Sequence, residues 1–183
     1  MGLEAATVHI HSEIIDRCRQ GDREAHYQLY RLYSRSMFNI CYRIVSNEAE
    51  AEDILQEAFI SAFKSLHLYR GDASFGSWLK RIVVNKAINV LKGRKTERFP
   101  DDEDFDIQEE ETTEREFKFS IDQVRKALDC LPDGYRSVLS LYLIEGYDHS
   151  EIAEILGISE STSKSQFNRS KKKLREILEE GRL

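Results

Sequence analysis

The sequence predicts an all-α protein: two small helical domains joined by an acidic linker, the C-terminal one containing a helix-turn-helix. Three observations carry this expectation. Apolar residues recur at helical spacing nearly throughout. The 183 residues include only two prolines, Pro100 and Pro132, and few turn dipeptides. The charge is segregated along the chain: residues 99–116 hold ten carboxylates against Arg115, a balance of −9, whereas the whole chain carries −6. A segment so charged and so poor in apolar residues cannot bury a core, so it reads as an extended or disordered connector. With 40% apolar residues, the remainder is enough for one medium core or two small ones.

The elements follow in order. A first helix is expected from Ser12 to Gln20 and a second from Asp22 to about Val45, with Leu29, Leu32, Tyr33, Ile40 and Ile44 on its buried side. Asn47 and Glu50 resemble a capping box opening a third helix to about Leu66, with Ala51, Leu55, Ala58, Ala62 and Leu66 as its apolar stripe. His67 to Ser74, with Gly71 and Asp72, reads as a loop. A fourth helix covers Phe75 to Lys92, its apolar side formed by Leu79, Ile82, Val83, Ala87, Val90 and Leu91. Periodicity resumes near Phe119 with Ile121, Val124, Leu128 and Leu131, stops at Pro132-Asp133-Gly134, and returns from Tyr135 to Ile144, where Gly146 ends the helix. The expected domains are 1–95 and 119–183, with 96–118 as the linker.

No apolar run approaches the roughly 18 to 20 residues of a membrane span, and the N-terminus lacks a signal peptide's apolar core. A cytoplasmic protein without membrane insertion is expected. Cys18, Cys41 and Cys130 are odd in number, far apart and set in apolar-periodic stretches, which favours buried reduced thiols over disulfides or a zinc site. No metal and no cofactor is expected.

The most specific signal lies between Asp148 and Leu178. Ser150 to Leu156 makes a short helix, Gly157-Ile158-Ser159 a turn, and a longer helix follows, which is helix-turn-helix grammar. Asp148 with Glu151 can form a capping box, and Ser159 is a suitable N-cap for the second helix. Phe167, Leu174, Ile177 and Leu178 fall on one face of that helix, with small Ser163 and Ser170 among them. Ser161, Lys164, Ser165, Asn168, Arg169 and Lys172 occupy the opposite face. They mix phosphate-seeking cations with groups that read base edges, as a helix entering a major groove requires.

In the fourth helix, Trp78, Arg81, Asn85, Asn89 and Lys92 are spaced by three or four residues and form one stripe. An indole, two amides and two cations suit unpaired nucleic acid, which is held by stacking and edge hydrogen bonds. Residues 78–98 carry seven basic side chains against Glu97 alone, a candidate phosphate-binding surface. The third helix presents Asp53, Gln56, Glu57 and Lys64, with Ile60 exposed among them, a mixed patch able to dock a protein partner.

These motifs together resemble the sigma-70 family of bacterial RNA polymerase sigma factors, and within it the extracytoplasmic-function (ECF) group. Ala51 to Phe59 resembles the segment that binds the polymerase clamp helices. Phe75 to Lys92, with Trp78-Leu79, Arg81-Ile82 and Asn85, resembles the promoter-melting helix. Tyr135 to Lys173, with Glu151-Ile152-Ala153 and Thr162-Ser163-Lys164-Ser165, resembles the domain that reads the minus-thirty-five element.

The resemblance implies core RNA polymerase and promoter DNA as partners, an anti-sigma factor as a further candidate, and no enzymatic activity. It implies that Asp53, Gln56 and Glu57 contact the clamp helices. It further implies that Arg70, Ser74 and Phe75, in a loop that holds an extruded minus-ten base, act with Trp78, Arg81, Asn85, Asn89 and Lys92. Glu160 and Ser163 stand where the family commonly has glycine and valine, and Gln166 where arginine is frequent. The rival reading is a helix-turn-helix regulator with an N-terminal dimerisation or sensing domain, which gives no reason for the stripe beginning at Trp78. An enzyme acting on nucleic acid is weaker still, since no nucleophile motif or glycine-rich phosphate loop is present.

Overall fold

Capping chemistry sets the helix boundaries in a computed structural model that describes residues 11–94 and 119–181. Eight α-helices occur among the described residues: α1 Ser12–Arg19, α2 Arg23–Val45, α3 Glu48–Lys64, α4 Phe75–Gly93, α5 Ile121–Asp129, α6 Asp133–Leu143, α7 His149–Leu156 and α8 Glu160–Glu180. No strand occurs among those residues. The chain divides into two compact units, 1–90 and 91–183. The expected acidic linker, 96–118, lies outside the described residues.

In the first unit the Asp22 carboxylate accepts from the backbone N–H groups of Glu24 and Ala25 and so caps α2. Arg17 donates to the same carboxylate from the end of α1, at 2.8 Å, and holds its pKa below the usual range. Helix α2 ends at Ser46, a left-handed residue at φ 51°. Asn47 then opens α3 by accepting from the Glu50 N–H at 3.0 Å. The pairs Tyr30–Phe59 and His26–Phe63 step in opposite directions along the two helices, so α2 and α3 form an antiparallel hairpin.

The core of this unit lies between Ala25, Leu29, Ile40 and Ile44 of α2 and Ala51, Leu55, Ala58 and Ala62 of α3, all buried; Leu66, also buried, falls beyond the end of α3 in a 3-10 turn, Leu66–Leu68. On α4, Leu79, Val83, Val84, Ala87 and Ile88 are buried. Two expectations fail here. Leu32 is 51% exposed, because the buried arc of α2 is centred on the side of Met37 and Cys41, away from it. Val90 is also exposed, and Val84 and Ile88 take the core positions instead.

In the second unit Ser120 and Gln123 form a reciprocal capping box at the start of α5. Ala127, Leu131, Leu139 and Ile177 form a core against which Leu128, Phe167, Leu174 and Leu178 pack. Ile121 is 82% exposed, since the first position of α5 precedes the face that Ala127 and Leu131 bury. The break expected at Asp133-Gly134 is instead the first turn of α6, which begins directly after Pro132. Proline fixes its own φ and needs no N–H, so it suits that edge. Arg136, almost fully buried, is compensated there by Asp133 and by the Leu131 carbonyl at 2.8 Å. Ser137 and Ser140 of α6, and Ser163 and Ser170 of α8, are buried and lack the bulk that would keep the helices apart.

Cys18 and Cys41 are buried as expected, and burial pushes their thiols up to about 11 and about 12, which makes them inert. Cys130 is exposed, contrary to expectation, because it is the C-cap residue beyond the packed face of α5.

Candidate nucleic-acid interface

The first candidate surface begins at the loop before α4. Tyr69 is buried, and its hydroxyl donates to the Ala73 carbonyl at 2.7 Å. Between them Gly71 adopts φ +84°, a left-handed conformation that glycine takes without strain. Ser74 then accepts from the Ser77 N–H at 3.1 Å across the first turn of α4. The rings of Tyr33, Tyr69, Phe75 and Trp78 form a continuous cluster with centroid separations of 5.2 to 5.7 Å.

This cluster changes the expected stripe. Phe75 is 3% exposed and belongs to the core, so it cannot be a surface contact. Trp78 is half-buried against Tyr69 and Phe75, anchoring the helix while leaving part of its indole accessible. Arg81, Asn85, Asn89 and Lys92 are all exposed, as are Arg70 and Asp72 in the loop, and Ser74 is half-buried.

Asp53, Gln56 and Glu57 are exposed on α3, with Ile60 53% exposed beside them. An open cleft of about 520 Å³ separates Glu50, Asp53, Ile54 and Glu57 of α3 from Lys86, Asn89 and Val90 of α4. Lys86 reaches across it to Glu57 at 3.3 Å. The acidic patch and the basic helix therefore border one cleft, a relation that their separation of 29 residues hides in the sequence.

In the second unit the helix-turn-helix is built as expected. Asp148 and Glu151 form a reciprocal capping box on α7. Gly157 takes φ +74°, and Ser159 caps α8 by accepting from the Thr162 N–H at 3.0 Å. Ile177 is buried, and Phe167, Leu174 and Leu178 are half-buried on the inner face of α8. Ser161, Lys164 and Lys172 are exposed, whereas Ser165, Asn168 and Arg169 are half-buried. Lys164 pairs with Glu160 at 2.7 Å one turn earlier, so its charge is partly offset where the outward face begins.

Two features of this unit escaped the sequence reading. His149, the first residue of α7, stacks on Tyr142 with centroids 4.5 Å apart and shares a 2.9 Å hydrogen bond with Ser163 of α8. Burial, followed by the charge of Lys164, lowers its pKa. Gln166 is 1% exposed, and neither atom of its amide has a hydrogen-bond partner among the described residues.

Comparison with known proteins agrees with both units. The Sigma-70 region 2 family matches residues 29–97, and the Sigma-70 region 4 family matches residues 121–174. The chain is 32% identical to the ECF RNA polymerase sigma factor SigW of Bacillus subtilis, over 90% of this chain and 94% of that one. It is 30% identical to the ECF RNA polymerase sigma-E factor of Haemophilus influenzae, over 86% and 89% of the two chains. Among solved structures it is similar in fold to the sigma factor RpoE of Bartonella quintana, crystallised with the anti-sigma factor NepR. The TM-score is 0.56 at 22% identity, covering 84% of this chain and 96% of the other.

The family matches over both units and the relatives thus define a promoter-specific initiation factor, a protein that works with core RNA polymerase and promoter DNA. The chain belongs to the sigma-70 family, in its ECF group. Proteins of this family are non-enzymatic initiation factors. No helix among the described residues is long and apolar enough to cross a membrane.

Proposed function

We propose that residues 1–95 bind the polymerase clamp helices and the minus-ten element, that 96–118 connect the domains, and that 119–183 read the minus-thirty-five element. Asp53, Gln56 and Glu57 face the clamp helices. Arg70, Ser74, Trp78, Arg81, Asn85, Asn89 and Lys92 take the opened minus-ten strand, with Phe75 supporting them from the core. Ser161, Lys164, Ser165, Asn168, Arg169 and Lys172 read or neutralise the upstream duplex. Capture of unstacked bases offsets an unstacking cost of a few kcal/mol, so strand opening follows from binding energy and requires no hydrolysis by this chain. The protein acts as a binding factor and not an enzyme, in the cytoplasm with the polymerase. By analogy with the RpoE–NepR complex, an anti-sigma factor is a candidate inhibitor.

The observation that carries this reading is the exposed row Arg81, Asn85 and Asn89 on a helix that buries Leu79, Val83, Val84, Ala87 and Ile88 on its other side. A duplex-only regulator has no use for such a row on a second unit. Promoter-specific initiation by core polymerase plus this chain tests it, with an Asp53→Lys/Glu57→Lys variant in parallel. The variant should retain its helical content and lose polymerase binding in a pull-down. Undiminished assembly would remove the clamp assignment, and absence of specific initiation by the parent chain would favour the regulator.

A further inference from the structure

We infer that Tyr69 is a positioning residue for minus-ten recognition: its hydroxyl clasps the Arg70–Ser74 loop into the shape that receives an extruded base. The inference rests on the assignment of that loop proposed above. Among the described residues, no main-chain hydrogen bond spans Arg70 to Ala73, and the 2.7 Å bond from the Tyr69 hydroxyl to the Ala73 carbonyl is the tie across the loop. Arg70, Asp72 and Ala73 are exposed and Gly71 is conformationally permissive, so without the tie these residues would sample many shapes.

The tyrosine itself is fixed from several sides. Its ring packs on Phe75 and Trp78 with centroids 5.7 and 5.3 Å away. The Arg19 guanidinium lies 6.0 Å from the ring centroid and also donates to the Tyr69 carbonyl. A firmly packed core residue thus holds a glycine-containing loop by one hydroxyl. Pre-organisation of this kind removes an ordering cost otherwise met when the base enters. Burial raises the hydroxyl's pKa above its ordinary value, with Arg19 opposing, so it stays protonated and able to donate.

Tyr69→Phe removes the hydroxyl and keeps the ring packing. The test measures holoenzyme binding to single-stranded oligonucleotides that carry the minus-ten element of a promoter located by transcript-start mapping, intact or abasic at one position at a time. The parent protein should lose most affinity at one abasic position. Tyr69→Phe should weaken binding of the intact strand roughly 2- to 13-fold, the worth of one hydrogen bond. It should leave binding of the strand abasic at that position unchanged. Tyr33→Phe, which removes a hydroxyl bonded to His11 at 2.9 Å, should alter neither.

Equal weakening on both strands, or none on either, overturns the role of Tyr69 while leaving the loop assignment intact. If the parent protein shows no abasic-sensitive position, the loop holds no base, and the inference falls with the assignment.

Discussion

Asn85→Ala separates strand opening from ordinary DNA binding. Asn85 is exposed at the middle of the α4 row, and its side chain makes no hydrogen bond to any described residue. Removing it therefore breaks no internal bond, and alanine's better helix propensity should leave α4 as stable or more so by a few tenths of a kcal/mol. Any deficit must come from a partner. A good base contact is worth about 1 to 3 kcal/mol, which corresponds to roughly 5-fold to 150-fold weaker opening. Polymerase binding should be unchanged, since Asn85 lies on α4, apart from the α3 residues proposed to face the clamp. Permanganate reactivity of thymines around the start site, on holoenzyme assembled with parent or variant, reads opening directly. Parental reactivity together with unaltered minus-ten preference would show that the row is a solvated face, and the reasoning from exposed amides would be wrong.

Three further perturbations test the C-terminal unit. Lys164→Ala and Arg169→Ala should weaken upstream promoter binding and flatten its salt dependence by about one unit of log–log slope for each phosphate no longer neutralised, measured by footprinting over a salt series. Gln166→Leu should stabilise the unit by about 1 to 3 kcal/mol, the cost of a buried unpaired amide, seen as a higher denaturation midpoint. Because the folded pKa of His149 lies below its ordinary value near 6.5, the unfolded chain binds the proton more readily. Its contribution is therefore complete above about pH 6.5 and is lost as the pH falls through the lowered folded value. Denaturation midpoints across that range should fall with acidification in the parent and less so in His149→Gln.

The parts of the fold legible in the sequence are those determined within one helical turn. Asp22, Asn47, Asp148 and Ser159 each bond a backbone N–H two or three residues on, so a short window contains both partners. Gly157 marks its turn for the same reason. Periodicity also found the inner face of α8 and, on its outward face, Ser161, Lys164 and Lys172, whereas Ser165, Asn168 and Arg169 are half-buried. The misreadings concern side chains whose surroundings come from distant segments. Phe75 belongs to the core because Tyr33 lies against it, and Leu32 is exposed because α1, α3 and α4 cover other parts of α2. The Lys86–Glu57 pair bridges 29 residues and the Arg19–Tyr69 bond 50, so neither partner signals the other locally. Gln166 shows the converse limit: polarity alone argues for a surface position, and helical register overrides it.

The three-residue turn Gly157-Ile158-Ser159 ties the phase of α8 to that of α7. The backbone N–H groups of Gly157 and Ile158 both return to the Ala153 carbonyl, at 2.8 and 3.1 Å, which leaves the turn little slack. Helix α8 then serves two surfaces at once, with Ser163, Gln166, Ser170 and Ile177 inside and Ser161, Lys164 and Lys172 outside. One residue inserted between Ser159 and Ser163 would advance everything beyond it by about 100° and 1.5 Å. Polar side chains would swing inward and the seam of small residues outward. Under the proposed role of the outward face, drift in its residues retunes which DNA is read without disturbing the core. A change of length here alters both surfaces together, so in this part of the chain variation is open to exchange of residues and closed to insertion or deletion.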